Sequence, residues 1–436
     1  MSGATGSLPD SLTRAASGRA RAREETTTAR ALNTQAPGRD TNMSILVGAF
    51  AVLVGLSCAY WLLGAWGSMQ LERGLPRLGA PGVPEPARWP RVSLVIPACN
   101  EVDTLEAAVA SRLAQDYPDL EVVLVDDRSN DGTSALVDRL AAADARVKAL
   151  HITHLPEGWL GKLHALHRGA EAATGDWLLF TDADVHFAPD TVRRAMALCE
   201  ARSWNFLTVL FQLRPTSFLL DTAVSTTLRM IGTAARLHRV ADPGSSASMG
   251  AGVFNLVHRD MFARTRGFEW LKLEIADDAA LGQMVKRAGG RCGVVHALGH
   301  VSVELYPSLG AMARGCEKAG FGVMGQLSNT RLVLSCITFL LIETAPLLAL
   351  WPGWPAWLRM LGLVGTGLAL ATCALASRVL RRPLLATLVF PVGTLLFVTF
   401  LLRSGWLGWR RGGIVWRGTL YPTELLRTGI RFESPL

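Results

Sequence analysis

The sequence predicts a doubly wound α/β domain held at a membrane by long apolar helices. Three observations predict it. Between about Pro90 and Arg331, short apolar runs that stop at turn residues or carboxylates alternate with amphipathic helical stretches. On either side lie apolar stretches with almost no charge. Pairs of acids fall where apolar runs end, and open α/β sheets bind ligands at the carboxyl ends of their strands.

The chain has 436 residues, half of them hydrophobic, a length that suggests two or three domains. Asn42 to Leu71, Met360 to Ser377 and Pro383 to Leu402 contain no charged residue, and Leu332 to Leu358 contains only Glu343. Each stretch reaches or approaches the roughly 18–20 apolar residues that span a bilayer. A core helix of that length would show polar positions at helical spacing. The expected organisation is a disordered polar tail over 1–41, a transmembrane anchor over 43–70 and the α/β domain over 91–331. Membrane segments over 332–402 and a basic tail over 403–436 follow. The first apolar segment is too long for the core of a cleaved signal peptide, so it is expected to stay as an anchor.

The formal net charge is +8, but the arginines cluster in tails and loops beside the apolar segments. Anionic lipid headgroups explain them, and no nucleic-acid partner is expected. None of the seven cysteines forms C-x-x-C, which speaks against a structural zinc or a disulfide framework and fits a reducing compartment.

Element by element, "RVSLVIPACNE" is an apolar run stopped by Pro97, and "VDTLEAAVASRLAQ" is a helix. "LEVVLVDDRSNDGT" is a buried strand ending in Asp126, Asp127 and a turn. "TSALVDRLAAA" is a helix that Thr133 can cap, "VKALHI" a strand and "GKLHALHRGAEAA" a helix. "GDWLLFTDADV" runs a strand into Asp182 and Asp184. Continuous apolar strands of this kind are covered on both faces.

The acids and glycines carry the chemistry. Asp126 and Asp127 exceed what a turn needs, and a carboxylate there can accept hydrogen bonds from a nucleobase or ribose. Asp182 and Asp184, two apart on a strand, point to one side and repel unless a cation joins them. Mg²⁺ or Mn²⁺ suits two such oxygens and keeps positions open for a diphosphate. In "EIADDAALGQMVKRAGGR", Asp277 and Asp278 open a helix, where one acid can cap and the other serve as general base. Lys162 at a helix start suits an anionic phosphate. Gly250 and Gly252 let a backbone approach a ligand, or make a turn.

The motifs "VIPACNE", "VVLVDDRSNDGT", "GKLHAL", "FTDADV", "GAGVFNLVHRDMF" and "ADDAALG", in this order over about 91–290, resemble the family 2 glycosyltransferases, inverting enzymes of GT-A fold that use nucleotide-diphosphate sugars. "GWLGK", "ADDAALG" and "WRGTLY", with the flanking apolar segments, resemble the membrane-bound hopanoid-associated and carotenoid glycosyltransferase group. The resemblance implies a hexosyltransferase that moves a sugar to a lipid acceptor. It places Pro97, Asn100 and Glu101 in the nucleotide pocket, Asp127 or Asp126 on the base, and Lys162 toward the nucleotide or its diphosphate. It makes Asp182 and Asp184 the metal motif, Asp184 the more direct ligand, and Asp278 the catalytic base with Asp277 beside it. Processive synthases of the family carry Q-x-x-R-W after the base; here the region reads "ARGCEKAGFG", with Lys318 a candidate diphosphate clamp. That departure implies one transfer per acceptor. A polysaccharide synthase and a non-catalytic membrane protein with a relic nucleotide-binding domain are the alternatives.

Nucleotide sugars are cytoplasmic, so the resemblance implies an α/β domain on the cytoplasmic face of the plasma membrane. If 383–402 spans, the arginine-rich tail lies outside, against the positive-inside rule. Pro391 and Gly393 permit a break there, and a re-entrant segment would return "WRGTLY" to the domain.

Overall fold

A computed structural model of the chain describes residues 1–3 and 37–433, so most of the tail expected over 1–41 lies outside the described residues. The first long helix, Pro37–Gly74, extends beyond both ends of the anchor expected over 43–70.

Strands β1 (Val92–Ala98), β2 (Leu120–Asp127), β3 (Val147–Ile152) and β4 (Trp177–Phe180) occupy the apolar runs. With β6 (Phe206–Leu210), β8 (Asn255–His258) and β9 (Cys292–His296) they form one sheet in the order β3-β2-β1-β4-β8-β6-β9. β1 pairs in parallel with both β2 and β4. β8 runs antiparallel to β4 and β6, so the sheet is mixed, where continuous apolar strands alone suggest a parallel one. The reason lies in the connection. The chain leaves β6 at the ligand end, detours through the helix Phe218–Ala234 and re-enters at that same end. A strand entered that way has to run backwards. Alternate residues serve two cores: Leu94 and Ile96 face one, Val95 the other. Two short strand groups complete the structure. One joins β5 (His186–Phe187), β10 (Val301–Val303) and β7 (Gln212–Leu213); the other is the hairpin of β11 (Gly413–Trp416) and β12 (Thr419–Pro422).

Four helices are long and apolar enough to cross a membrane: Asn42–Gly74, Asn329–Leu348, Ala356–Val379 and Phe390–Arg411. The first three meet at the end remote from the sheet, where Val54, Ala345, Ala349 and Leu358 are buried together and Phe50 stacks on Trp354 at 4.9 Å. The fourth does not join that cluster. Phe390 packs part-way along the bundle, against Trp61 and Cys373. Phe397 and Leu401 then meet Leu332 and Cys336. Gly405 abuts Asn329, and Gly408 abuts Phe321 beside the α/β domain. Val379 before this segment and Ile414 after it both pack into the core of the α/β domain. The chain breaks between the short helix Leu384–Leu388 and Phe390, and Pro391 opens the returning helix, where its missing N–H costs nothing.

Glu343, the lone charge of its apolar stretch, lies at the centre of a buried network. Arg229 donates to its two carboxylate oxygens at 2.7 and 2.9 Å, and Tyr60 donates at 2.6 Å. Thr394 of the helix Phe390–Arg411 adds a bond at 3.3 Å. Removing one member of a buried pair strands the other charge, at about 3–5 kcal/mol. Glu343→Gln is therefore expected to lower the thermal midpoint of the detergent-solubilised chain clearly; an unchanged midpoint would show that the network adds no stability.

Candidate active site

Strand order switches beside β1, with β2 on one side and β4 on the other, and the crevice opens at their carboxyl ends. A cleft of about 880 Å³ lies there. The sheet side contributes Pro97, Glu101, Asp127, Lys162, Asp182 and Asp184. Asp277, Asp278 and Lys318 face them, and Trp416, Arg417 and Tyr421 close the cleft from the C-terminal hairpin.

Lys162 is the hub. Its Nζ lies 2.9 Å from Asp182, 3.0 Å from Asp277 and 3.3 Å from Asp278. Acids from two parts of the chain about a hundred residues apart thus share one ammonium. Asp277 is the buried member of its pair and holds a second cation, Lys318, at 2.8 Å. Lys318 in turn sits over the Trp416 ring, 5.2 Å from its centroid. Neither acid caps its helix; both open Asp277–Arg287 with their side chains turned to the cleft.

This arrangement divides the two neighbours electrostatically. Burial works against the charge of Asp277, but Lys162 and Lys318 outweigh it and hold its carboxyl well below the usual range. Asp278 is pushed up to about 7, by burial first and by the adjacent Asp277 charge second. Burial also works against the charge of Lys162, yet its three carboxylates raise it well above the ordinary lysine value. Asp184 is pushed up to about 6 by burial and then by Asp182 and Glu101.

Not every expected residue lines the cleft. Asp126 is buried beneath it, bonded by Ser134, by the Ser129 amide at 3.3 Å and by His151 at 3.1 Å, so it builds the turn and Asp127 alone faces the cleft. Asp127 is already paired to Arg128 at 2.7 Å. Asn100 adopts the left-handed conformation (φ 57°) and bridges two loops through the Ser129 hydroxyl and the Asn130 amide. Thr133 makes no side-chain cap; it accepts from the Glu101 amide at 2.9 Å and so ties the two loops at the mouth of the cleft. Gly250 packs against the Asp278 carbonyl rather than lining the cleft.

Gly252 shows what its motif is for. A Cβ there would sit 2.5 Å from an Asp182 oxygen and 2.7 Å from an Asp278 oxygen. The glycine lets both carboxylates converge over the backbone. Gly252→Ala is expected to lower turnover by about 10²-fold through their displacement, while the chain keeps its fold. Full activity in the alanine variant would refute that packing role.

Two contributions were not legible beforehand. Arg112, fully buried, donates to the Asp182 carbonyl and, at 3.3 Å, to the Ala183 carbonyl, fixing the backbone between the two acids. In sequence it is one more arginine on an amphipathic helix. The hairpin is anchored by Arg417, which pairs with Glu101 and donates to the Cys99 carbonyl at 2.9 Å. Farther on, Glu274 accepts from the Phe432 amide at 2.8 Å. The tail expected over 403–436 is therefore a helix end, a hairpin and a docked strap, through residue 433.

Residues 93–212 match the family described as Glycosyl transferase family 2. The match ends before Asp277, Asp278 and the hairpin. The succinoglycan biosynthesis protein ExoO of Rhizobium meliloti is 38% identical over 112 residues, 26% of this chain and 30% of that protein. The 4,4'-diaponeurosporenoate glycosyltransferase of Staphylococcus haemolyticus is 33% identical over 113 residues, 26% of this chain and 28% of that one. This chain thus spans under a third of either relative's length. The mannosyltransferase PcManGT from Pyrobaculum calidifontis, solved in complex with GDP-Man and Mn²⁺, shares the fold with a TM-score of 0.51 at 19% identity, over 82% of this chain and 99% of that one.

Proposed function

We propose that this chain, through its glycosyl transferase family 2 domain, moves a sugar from a nucleotide-diphosphate sugar to a lipid acceptor, with inversion, on the cytoplasmic face of a membrane. One observation carries the reading. Asp278, 3.3 Å from the Lys162 ammonium, faces the same cleft as Asp182 and Asp184, at the switch point of a nucleotide-sugar fold beside membrane-length helices.

The charges of the cleft support a divalent metal. Six carboxylates line it against four cationic side chains, an excess of negative charge where a diphosphate has to enter. Asp184 and Asp182, raised or crowded by like charge, are the residues that would hold Mg²⁺ or Mn²⁺. Among the described residues no three His, Cys, Asp or Glu side chains form a ready cage. Such a site suits a cation that takes one or two carboxylates and the ligand's own oxygens. When bound, the metal neutralises charge on the departing nucleoside diphosphate.

The chain's own groups do the rest. Asp127 and Pro97 border the nucleotide, Lys162 steadies the acids, and Arg417 and Trp416 cover the cleft. Asp278 takes the proton of the acceptor hydroxyl, whose oxygen attacks the anomeric carbon as the bond to the diphosphate breaks. The new bond forms on the opposite face, hence inversion.

The test is direct. Membranes bearing the chain, given a labelled sugar nucleotide and Mn²⁺, are expected to place label in one-sugar lipids seen by mass spectrometry. Asp184→Asn is expected to abolish this. Unchanged turnover in that variant would remove the metal assignment, and long polymer would favour a synthase.

A further inference from the structure

The first membrane-length helix indicates where a bilayer would end. Its residues 42–65 rise about 36 Å, enough for a hydrocarbon core of about 30 Å. Leu62, Leu63 and Trp66 are exposed at that end, and the polar Ser68, Gln70 and Glu72 follow. An exposed tryptophan where an apolar run gives way to polar residues marks the headgroup level. The His238 ring meets Trp66 edge-on at 5.1 Å, so the turn that follows the helix Phe218–Ala234 stands at that level.

Beside that turn lies a groove of about 1120 Å³ that shares no lining residue with the active-site cleft. Arg236, Lys286 and Arg287 line it with Ser245, Ser246 and Ser248, against one carboxylate, Glu433. Glu433 is paired to Arg287. Asp242, which does not line the groove, is paired to Arg239 at 3.3 Å. Arg236 is exposed and pairs with no carboxylate among the described residues; its Nη2 donates to the Ser246 hydroxyl at 3.5 Å. Lys286 donates to the Val240 and Asp242 carbonyls at 2.7 and 2.8 Å, which leaves the third N–H of its ammonium. The groove therefore has two positive charges in excess, with donors to spare on Arg236 and Lys286 and serine hydroxyls beside them. An oxyanion with several oxygens suits that set.

The groove also lies behind the wall of the cleft. Its loop, residues 244–248, runs on to Gly250, which abuts the Asp278 carbonyl, and Gly282 abuts the Met249 carbonyl, each with no room for a Cβ. Loop and helix Asp277–Arg287 are thus packed backbone to backbone. A ligand held by Arg236, Ser246 and Lys286 would bridge the two.

We propose that this groove binds the phosphate headgroup of an anionic membrane lipid, at a site separate from the cleft. A cytoplasmic leaflet supplies such lipids, and its negative surface potential attracts the cations of the groove. The proposal rests on the apolar helices standing in a membrane and not on sugar transfer, so its test needs no donor.

The full-length chain in detergent would be titrated with dioleoyl phosphatidylglycerol or dioleoyl phosphatidylcholine, and the bound lipid counted by native mass spectrometry. Phosphatidylglycerol is expected to be retained under conditions that strip phosphatidylcholine. Arg236→Gln is expected to weaken that adduct about fivefold, the share of one arginine at an anionic surface. Arg236→Lys keeps the charge and is expected to keep the adduct. Arg359→Gln, beside Leu358 at the end of the bundle remote from the sheet, is the control and is expected to change nothing. Equal retention of the two lipids, an adduct unaffected by Arg236→Gln, or equal losses in Arg236→Gln and Arg359→Gln would overturn the proposal. So would displacement of the lipid by sodium phosphate at equal concentration, which would make the groove a site for free phosphate. A chain that retains phosphatidylglycerol as expected but transfers no sugar would fail the glycosyltransferase reading and leave this site standing.

Discussion

Asp278→Asn is expected to cut sugar transfer by about 10²–10⁴-fold, the range that a positioned general base contributes. The amide has the shape of the acid but takes no proton from an acceptor hydroxyl. Donor affinity should hold or rise, since Asp278 faces a cleft already rich in carboxylates and its charge opposes a diphosphate. Calorimetric titration with the nucleoside diphosphate and Mn²⁺ reads that half of the expectation. Asp277→Asn is the informative contrast. Asp277 is buried between Lys162 and Lys318; its loss takes the carboxylate from Lys318, while Lys162 keeps Asp182 and Asp278, and should appear first as a lower thermal midpoint. A drop of less than tenfold in Asp278→Asn, or identical behaviour of the two variants, would mean that the electrostatic division between neighbours has no catalytic meaning.

The acids were legible in the sequence because each cost was local. Asp182 and Asp184 end a buried strand, and Glu343 interrupts an apolar stretch. Such placements demand a partner, and in the structure Asp182 and Glu343 have one, Lys162 and Arg229. The partners were not legible, because they come from elsewhere in the chain. Nothing near Lys162 announces that Asp277 and Asp278 will reach it, and Arg112 has the look of a solvated helix residue until Asp182 and Ala183 turn their carbonyls to it. Strand direction was equally hidden: "NLVH" has the same apolar pattern whichever way β8 runs. The docking of the hairpin on the cleft was hidden too: composition does not say where the last apolar segment leads, whereas Trp416, Arg417 and Tyr421 line the cleft in the structure.

The hub itself gives the second large effect. Lys162→Met keeps the length and apolar stem of the side chain and deletes the charge. Asp182, Asp277 and Asp278 would then face one another with Lys318, bonded to Asp277, as the remaining lysine of the cleft. Removing a preorganised charged group of this kind costs about 10²–10³ in turnover, and that is the expected loss at neutral pH. The sign of the pH effect follows from the same geometry. A carboxylate that loses a cationic neighbour holds its proton more tightly, so the Asp278 carboxyl, already up to about 7, rises further. The acid limb of the rate profile should move to higher pH, and part of the lost activity should return as the medium becomes more alkaline. Lys162→Arg retains the charge with a different reach, so its limb should stay near the wild-type position even if its maximum rate is lower. Equal profiles for the methionine variant and the wild type would show that Lys162 does not set the protonation of the base, and its role would then be confined to holding the fold of the cleft.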